Sequence, residues 1–114
     1  MKKSFIAGIL ALATANVATA AGSFWNARVD HIRIDQNGWG MVYFDADALG
    51  TRPSCVASDN ARAFAFDTNT PGGRAILAVA ESAKAQGTIM VVLGTGSCGV
   101  YSNYVEDWSY GLQY

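Results

Sequence analysis

The sequence predicts a mainly β domain with one helix, its elements in the order β-β-β-α-β-β. Three observations predict it. Apolar residues alternate or run in short β-branched blocks, turn residues separate those blocks, and a single segment carries helix signals at both ends.

Ser23 to Asp35 reads as one long strand, with Trp25, Ala27 and Val29 on one parity and Ile32 and Ile34 on the other. The parity slips once, and a bulge near Asp30 and His31 keeps both halves on one core while bending the strand. Asp35-Gln36-Asn37-Gly38 then gives a hairpin turn, since Asn-Gly tolerates positive φ. The second strand, Trp39 to Asp47, is apolar on both parities, so both its faces are expected to be at least partly covered. Leu49 to Asn60 has the composition of a loop, rich in Gly, Pro, Ser, Asp and Asn. Strand three, Ala61 to Asp67, sets Phe64 and Phe66 against Ala63 and Ala65.

Thr70-Pro71 supplies an N-cap and a first-turn proline, and Gly87 ends the segment after Ala75 to Gln86. Ile76, Leu77, Val79, Ala80 and Ala83 make a narrow apolar stripe on this helix. Thr88 to Leu93 is continuously apolar, as in a strand buried on both faces. After the loop Gly94 to Gly99, the last strand alternates Trp108, Tyr110, Leu112 and Tyr114 with Asp107, Ser109, Gly111 and Gln113. This is the element order of the five-stranded Greek-key barrel called the OB-fold. An open antiparallel sheet carrying a helix uses the same elements. A helix between a meander and a hairpin suits the end of a closed barrel, so a small OB-fold-like barrel over residues 21–114 is expected.

Residues 1–20 read as a secretory signal peptide. Met1-Lys2-Lys3 is a basic start, Phe5 to Leu12 is apolar, and Ala18 and Ala20 are small residues before a cleavage point at Ala21. The apolar stretch is shorter than the roughly 20 residues a membrane span needs. A periplasmic or secreted protein without a membrane anchor is expected. Without the signal, six basic side chains face nine acidic ones, which argues against nucleic acid or an anionic lipid surface as partner. Cys55 and Cys98 are the only cysteines, and a small exported domain commonly adds a covalent staple. Closing the 43-residue loop between them stabilises the fold by about 3–4 kcal/mol in the chain-entropy model. A metal or thiol centre would want more ligands, and His31 is the only histidine.

Catalytic candidates are thin. His31 sits at the expected bulge beside Asp30, and Asp45 and Asp47 share a strand face at i, i+2. Six or more oxygens suit Ca²⁺, so no metal and no cofactor are expected. Gly94-Thr95-Gly96-Ser97 runs into a strand and not into a helix, unlike a phosphate cradle. Binding candidates are richer: in an OB-fold the loops after strands one and four flank the ligand face. Here they carry Asn37, Trp39, Thr95, Ser97, Tyr101 and Asn103, the hydroxyl, amide and aromatic groups that suit a sugar or a protein.

At Cys55, Phe64-Ala65-Phe66-Asp67, Thr70-Pro71-Gly72-Gly73-Arg74-Ala75 and Gly94-Thr95-Gly96-Ser97-Cys98, the chain resembles a group of small exported bacterial proteins of mostly unassigned function. That group is similar, more remotely, to the B subunits of subtilase-cytotoxin-like AB5 toxins. The resemblance runs from about Val29 to the last strand and implies an OB-fold. The toxin subunits bind sialylated glycans through a first-strand serine and assemble as pentamers. The matching position falls near Trp25 and Asn26, where no serine stands, so neither that specificity nor the pentamer carries over.

The function expected from these readings is an exported, non-enzymatic binding module for a glycan or a partner protein. The alternatives are a structural or inhibitory envelope protein working through protein contacts and, third, a small hydrolase using Asp45, Asp47 or His31. The apolar run Ile89 to Leu93 has two faces to hide, and the helix stripe is short, so a homo-oligomer is also expected.

Overall fold

The structure, a computed structural model, describes residues 21–114; the expected signal peptide lies outside the described residues. Among these, seven strands form two antiparallel sheets, and one long helix packs against the smaller of them. The strands are β1 (Gly22–Ala27), β2 (Val29–Ile34), β3 (Trp39–Phe44), β4 (Leu49–Gly50), β5 (Ala63–Asp67), β6 (Met90–Gly94) and β7 (Trp108–Gln113), and the helix is α1 (Pro71–Gln86). One sheet has the order β4-β1-β6-β7 and the other β2-β3-β5. They are not closed into a barrel: the expected five strands are replaced by seven in two sheets, joined at one edge by a single parallel bridge between Ala65 and Asp107.

The first strand explains much of that difference. The expected bulge is present, for Val29 faces Phe44 while His31 faces Tyr43, leaving Asp30 extra. A second irregularity lies between Phe24 and Ala27, where Asn26 takes a φ of 52°. The strand breaks at Arg28, whose N–H donates to the Asp45 carboxylate at 2.8 Å, and its two halves join different sheets. Beyond it the turn closes as expected. The Gly38 N–H donates to Asp35 O at 3.0 Å, and Gly38 has φ 94°, a conformation that L side chains rarely adopt.

Thr70 caps α1, its hydroxyl accepting from Gly73 N–H at 3.0 Å. At the other end Gly87 N–H donates to Lys84 O and Thr88 N–H to Ala83 O, the paired bonds of a Schellman ending. Ala80 and Ala83 enter the main core with Phe24, Val42, Phe44, Phe64, Phe66, Met90, Val92 and Trp108. Small helix residues let this crowded aromatic core close.

A second cluster accounts for the double apolar parity of β3 and β5. Met41, Ala63 and Ala65 point away from the main core and are covered by Val100, Tyr101, Tyr104 and Val105. The segment before β7 is thus a lid on the outer face of the three-stranded sheet. Cys55–Cys98 staples it to the loop before β5, and Ala57 N–H donates to Tyr104 O at 2.9 Å.

In β7 the regular alternation fails. Leu93 pairs with Tyr110 but Gly94 pairs with Trp108, so a bulge turns Trp108 into the core and leaves Tyr110 and Leu112 exposed. The helix packs on β2 and β5 and leaves the outer face of β6 to its strand neighbours.

Inside the fold runs a buried ion pair. Glu106 has no exposed surface; it accepts from Arg52 Nε at 2.8 Å, from Gly96 N–H at 2.9 Å and from Gly22 N–H at 3.2 Å. Arg52 also donates to Ala61 O and to Ala63 O, and its guanidinium lies over the Phe64 ring at 5.0 Å. Burial pulls Arg52 below the usual guanidinium range, and the Glu106 carboxylate opposes that pull. At Gly94 a Cβ would stand 2.1 Å from Glu106 Oε2, so only glycine lets the strand pass this close.

Two outcomes are expected. Glu106→Ala strands a buried guanidinium and should lower stability by about 3–5 kcal/mol, with Glu106→Gln losing less, read from urea midpoints at constant slope. Mass spectrometry without reductant should find Cys55 and Cys98 joined and closed to alkylation; free alkylation of both thiols in the native protein would contradict the staple.

Candidate functional site

The lid and the first hairpin meet at one corner. Trp39 is the first residue of β3, on the parity of Met41 and Tyr43, and so stands on the covered face of the three-stranded sheet. The lid brings Tyr101 to it: the rings are edge to face, with centroids 5.4 Å apart. The Tyr101 hydroxyl donates to Asp35 Oδ2 at 2.6 Å, while Arg33 Nε donates to Asp35 Oδ1 at 2.7 Å. The Arg33 guanidinium lies over the Tyr101 ring at 5.8 Å, and Tyr104 follows at 6.2 Å from Tyr101. An aromatic corner is therefore fixed from below by an ion pair, with Trp39 and Tyr101 both half-buried.

The electrostatics follow from those contacts. The Arg33 hydrogen bonds, and next the Tyr101 hydroxyl, hold the Asp35 carboxyl below its ordinary value. Burial, and then Asp35 as acceptor, pushes the Tyr101 phenol up. In the native corner Tyr101 is a hydrogen-bond donor, and Asp35 keeps its charge below the pH at which an ordinary aspartate takes up its proton.

The binding candidates divide between places. Asn37 flanks Trp39, its Oδ1 accepting from Trp39 N–H at 3.0 Å, and Asn69 Nδ2 donates to Asn37 O at 2.9 Å. Asn103 is exposed on the lid with φ 55°. Thr95 and Ser97 form a hydroxyl turn of their own, Oγ1 to Oγ 3.2 Å, beside Asp107. Among the described residues no hydrogen bond or ring contact ties them to the Trp39 corner. Trp25 and Asn26 belong to the four-stranded sheet, where Trp25 is exposed and donates from Nε1 to Ser23 Oγ at 3.2 Å. Arg33, Asp35 and Tyr104 were absent from the sequence-based site; the i, i+2 spacing of Arg33 and Asp35 on a strand was the available signal.

His31, Asp45 and Asp47 do converge, lining an open groove of about 610 Å³ with Asp30, Asp59 and Arg62. Each has a partner there. His31 Nδ1 lies 2.6 Å from Asp30 Oδ2, and the imidazole stacks on Tyr43 at 4.2 Å. Asp47 accepts from Arg62 Nε at 2.8 Å, and Asp45 accepts from the Arg28 N–H. Asp45 and Asp47 lie beyond the end of β3, not on its face, because that strand stops at Phe44. Among the described residues no group of three His, Cys, Asp or Glu side chains could hold a metal ion.

The depressed Asp35 pKa gives a pH signature. A carboxyl whose folded pKa lies below its unfolded value contributes above the unfolded value and loses the contribution as pH falls through the folded one. Trp39 fluorescence should therefore hold steady on acidification through the ordinary Asp range near pH 4 and change only below it. In Tyr101→Phe the transition should move up in pH; an unmoved transition would contradict the coupling. Comparison with known proteins adds no assignment, since no family model, curated protein or solved structure matches this chain.

Proposed function

We propose that the protein is an exported, non-enzymatic binding module that takes a neutral ligand, a glycan first, at the Trp39–Tyr101 corner. The observation that carries this reading is the braced ring pair at 5.4 Å, part open to solvent, with Asn37 bonded to Trp39 N–H and the exposed Asn103 two residues beyond Tyr101 on the lid. Rings with polar tips offer a stacking surface for a sugar, and amides offer hydrogen bonds to its hydroxyls. A ring held by packing and a hydrogen bond loses little freedom when a ligand arrives. Export is supported by the N-terminal sequence pattern together with the Cys55–Cys98 bond. We also read the two sheets as an opened OB-type barrel, supported by the direct passage from β1 to β2 at Arg28 and the parallel bridge at Ala65.

A second reading, a small hydrolase, is favoured by the shared groove of His31, Asp45 and Asp47. The engagement of all three side chains with structural partners ranks it lower.

Glycan-array binding of the purified chain tests the first reading. Trp39→Ala should weaken retention by about tenfold or more, the loss expected of a buried aromatic anchor. No retained glycan, or retention indifferent to that change, would reject the sugar. Hydrolysis of chromogenic esters or glycosides that disappears in His31→Ala would put the second reading in its place.

A further inference from the structure

The four-stranded sheet has an outer face with no cover among the described residues, and that face is apolar. Across it Leu49, Ser23, Leu93 and Tyr110 are successive cross-strand partners, and Leu112 pairs with Val91 in the next row. Trp25 shares the parity of Ser23, and Tyr114 that of Tyr110 and Leu112. Trp25 is 54% exposed, Tyr110 55% and Tyr114 67%, whereas Val91 at their centre is 4% exposed. The large side chains have closed over the middle row and left their own outer surfaces to solvent.

We propose that this face is a self-association surface, occupied by the same face of a second copy about a two-fold axis. Two properties select a copy of this chain. The first is charge: the chain carries nine acidic side chains against eight basic ones, yet none of the residues forming this face is charged. A two-fold axis sets the patch on itself, so neutral side chains meet neutral ones. The second is area. At about 150–250 Å² per aromatic side chain, the exposed parts of Trp25, Tyr110 and Tyr114 with Leu49 and Leu112 amount to roughly 600 Å². That is near the upper end for a lone patch on a monomer, and close to the roughly 800 Å² that each partner gives to a standard interface. Two twisted sheets pack face to face about 10 Å apart, an arrangement that would interleave these rows. The inference is independent of the ligand reading, because the Trp39 corner lies on the other sheet.

Light scattering on the purified, oxidised chain at about 100 μM, well above micromolar dissociation constants, should give twice the chain mass. Leu112→Asp and the milder Tyr110→Ser should each shift the sample toward the one-chain mass, with circular dichroism and the disulfide unchanged. Ile34→Asp, which charges the groove between β2 and α1, should leave the dimer intact. A wild-type monomer at that concentration overturns the proposal. An assembly indifferent to both face variants, or one dispersed by Ile34→Asp alone, overturns it as well. A monomer that sediments with phosphatidylcholine–phosphatidylglycerol vesicles, and loses them in Leu112→Asp, would assign the face to a lipid surface and overturn it too.

Discussion

The Glu106 carboxylate, dry and shared among Arg52 and the amides of Gly22 and Gly96, is the contact on which the two sheets depend. Desolvating a carboxylate and a guanidinium costs several kcal/mol each, and only a full set of hydrogen bonds offsets it. Here the set is complete: no buried side-chain nitrogen or oxygen lacks a partner among the described residues. Its members come from the first strand of one sheet, the loop before β5 of the other, and the turn after β6. Glu106 also gives its carbonyl to Ala65 N–H at 2.8 Å, beside the one bridge that joins the sheets at this edge. The charge pair therefore specifies which strands meet, a role that a greasy contact of similar volume would fill with less directional constraint.

From that anchor the chain runs in two directions with different consequences. Toward the N-terminal side of Glu106, the lid folds back over Met41 and Ala65, held by the disulfide and by the Ala57 N–H, which donates to Tyr104 O at 2.9 Å. This arrangement carries Tyr101 to Trp39 and builds the aromatic corner. Toward the C-terminal side, β7 starts with Trp108 in the core and then, after its bulge, turns Tyr110 and Leu112 outward. One sheet thus has β3 and β5 covered on both faces by its own chain and presents a small polar-aromatic corner. The other keeps an apolar face open.

Much of the fold was legible in local sequence. Thr70-Pro71 and Gly87 bounded the helix because capping depends on a few neighbouring residues, and the bulge near Asp30 followed from a parity slip. The hairpin turn at Gly38 was equally local. The break at Arg28 was not legible, since a positive φ at Asn26 and a bond to Asp45 arise from tertiary contacts. The double apolar parity of β3 correctly signalled two covered faces, but what covers the second is a loop distant in sequence. Trp39 and Tyr101 were both picked out as aromatic residues of the loops that flank the ligand face of an OB-fold, and their meeting at 5.4 Å depends on that same loop. Glu106 carries no local signal, since it directly precedes the alternating run that starts at Asp107. Its burial is set by Arg52, 54 residues away.

Native-state hydrogen exchange reads the anchor directly, because two of its bonds are amide protons. If Glu106 holds the sheets together, Gly22 at the start of β1 and Gly96 in the turn after β6 should exchange only through global unfolding. Their protection should then match that of Val42 and Val92 in the cores of the two sheets. Exchange of Gly22 and Gly96 through local opening, orders of magnitude faster while Val42 and Val92 stay protected, would contradict the account.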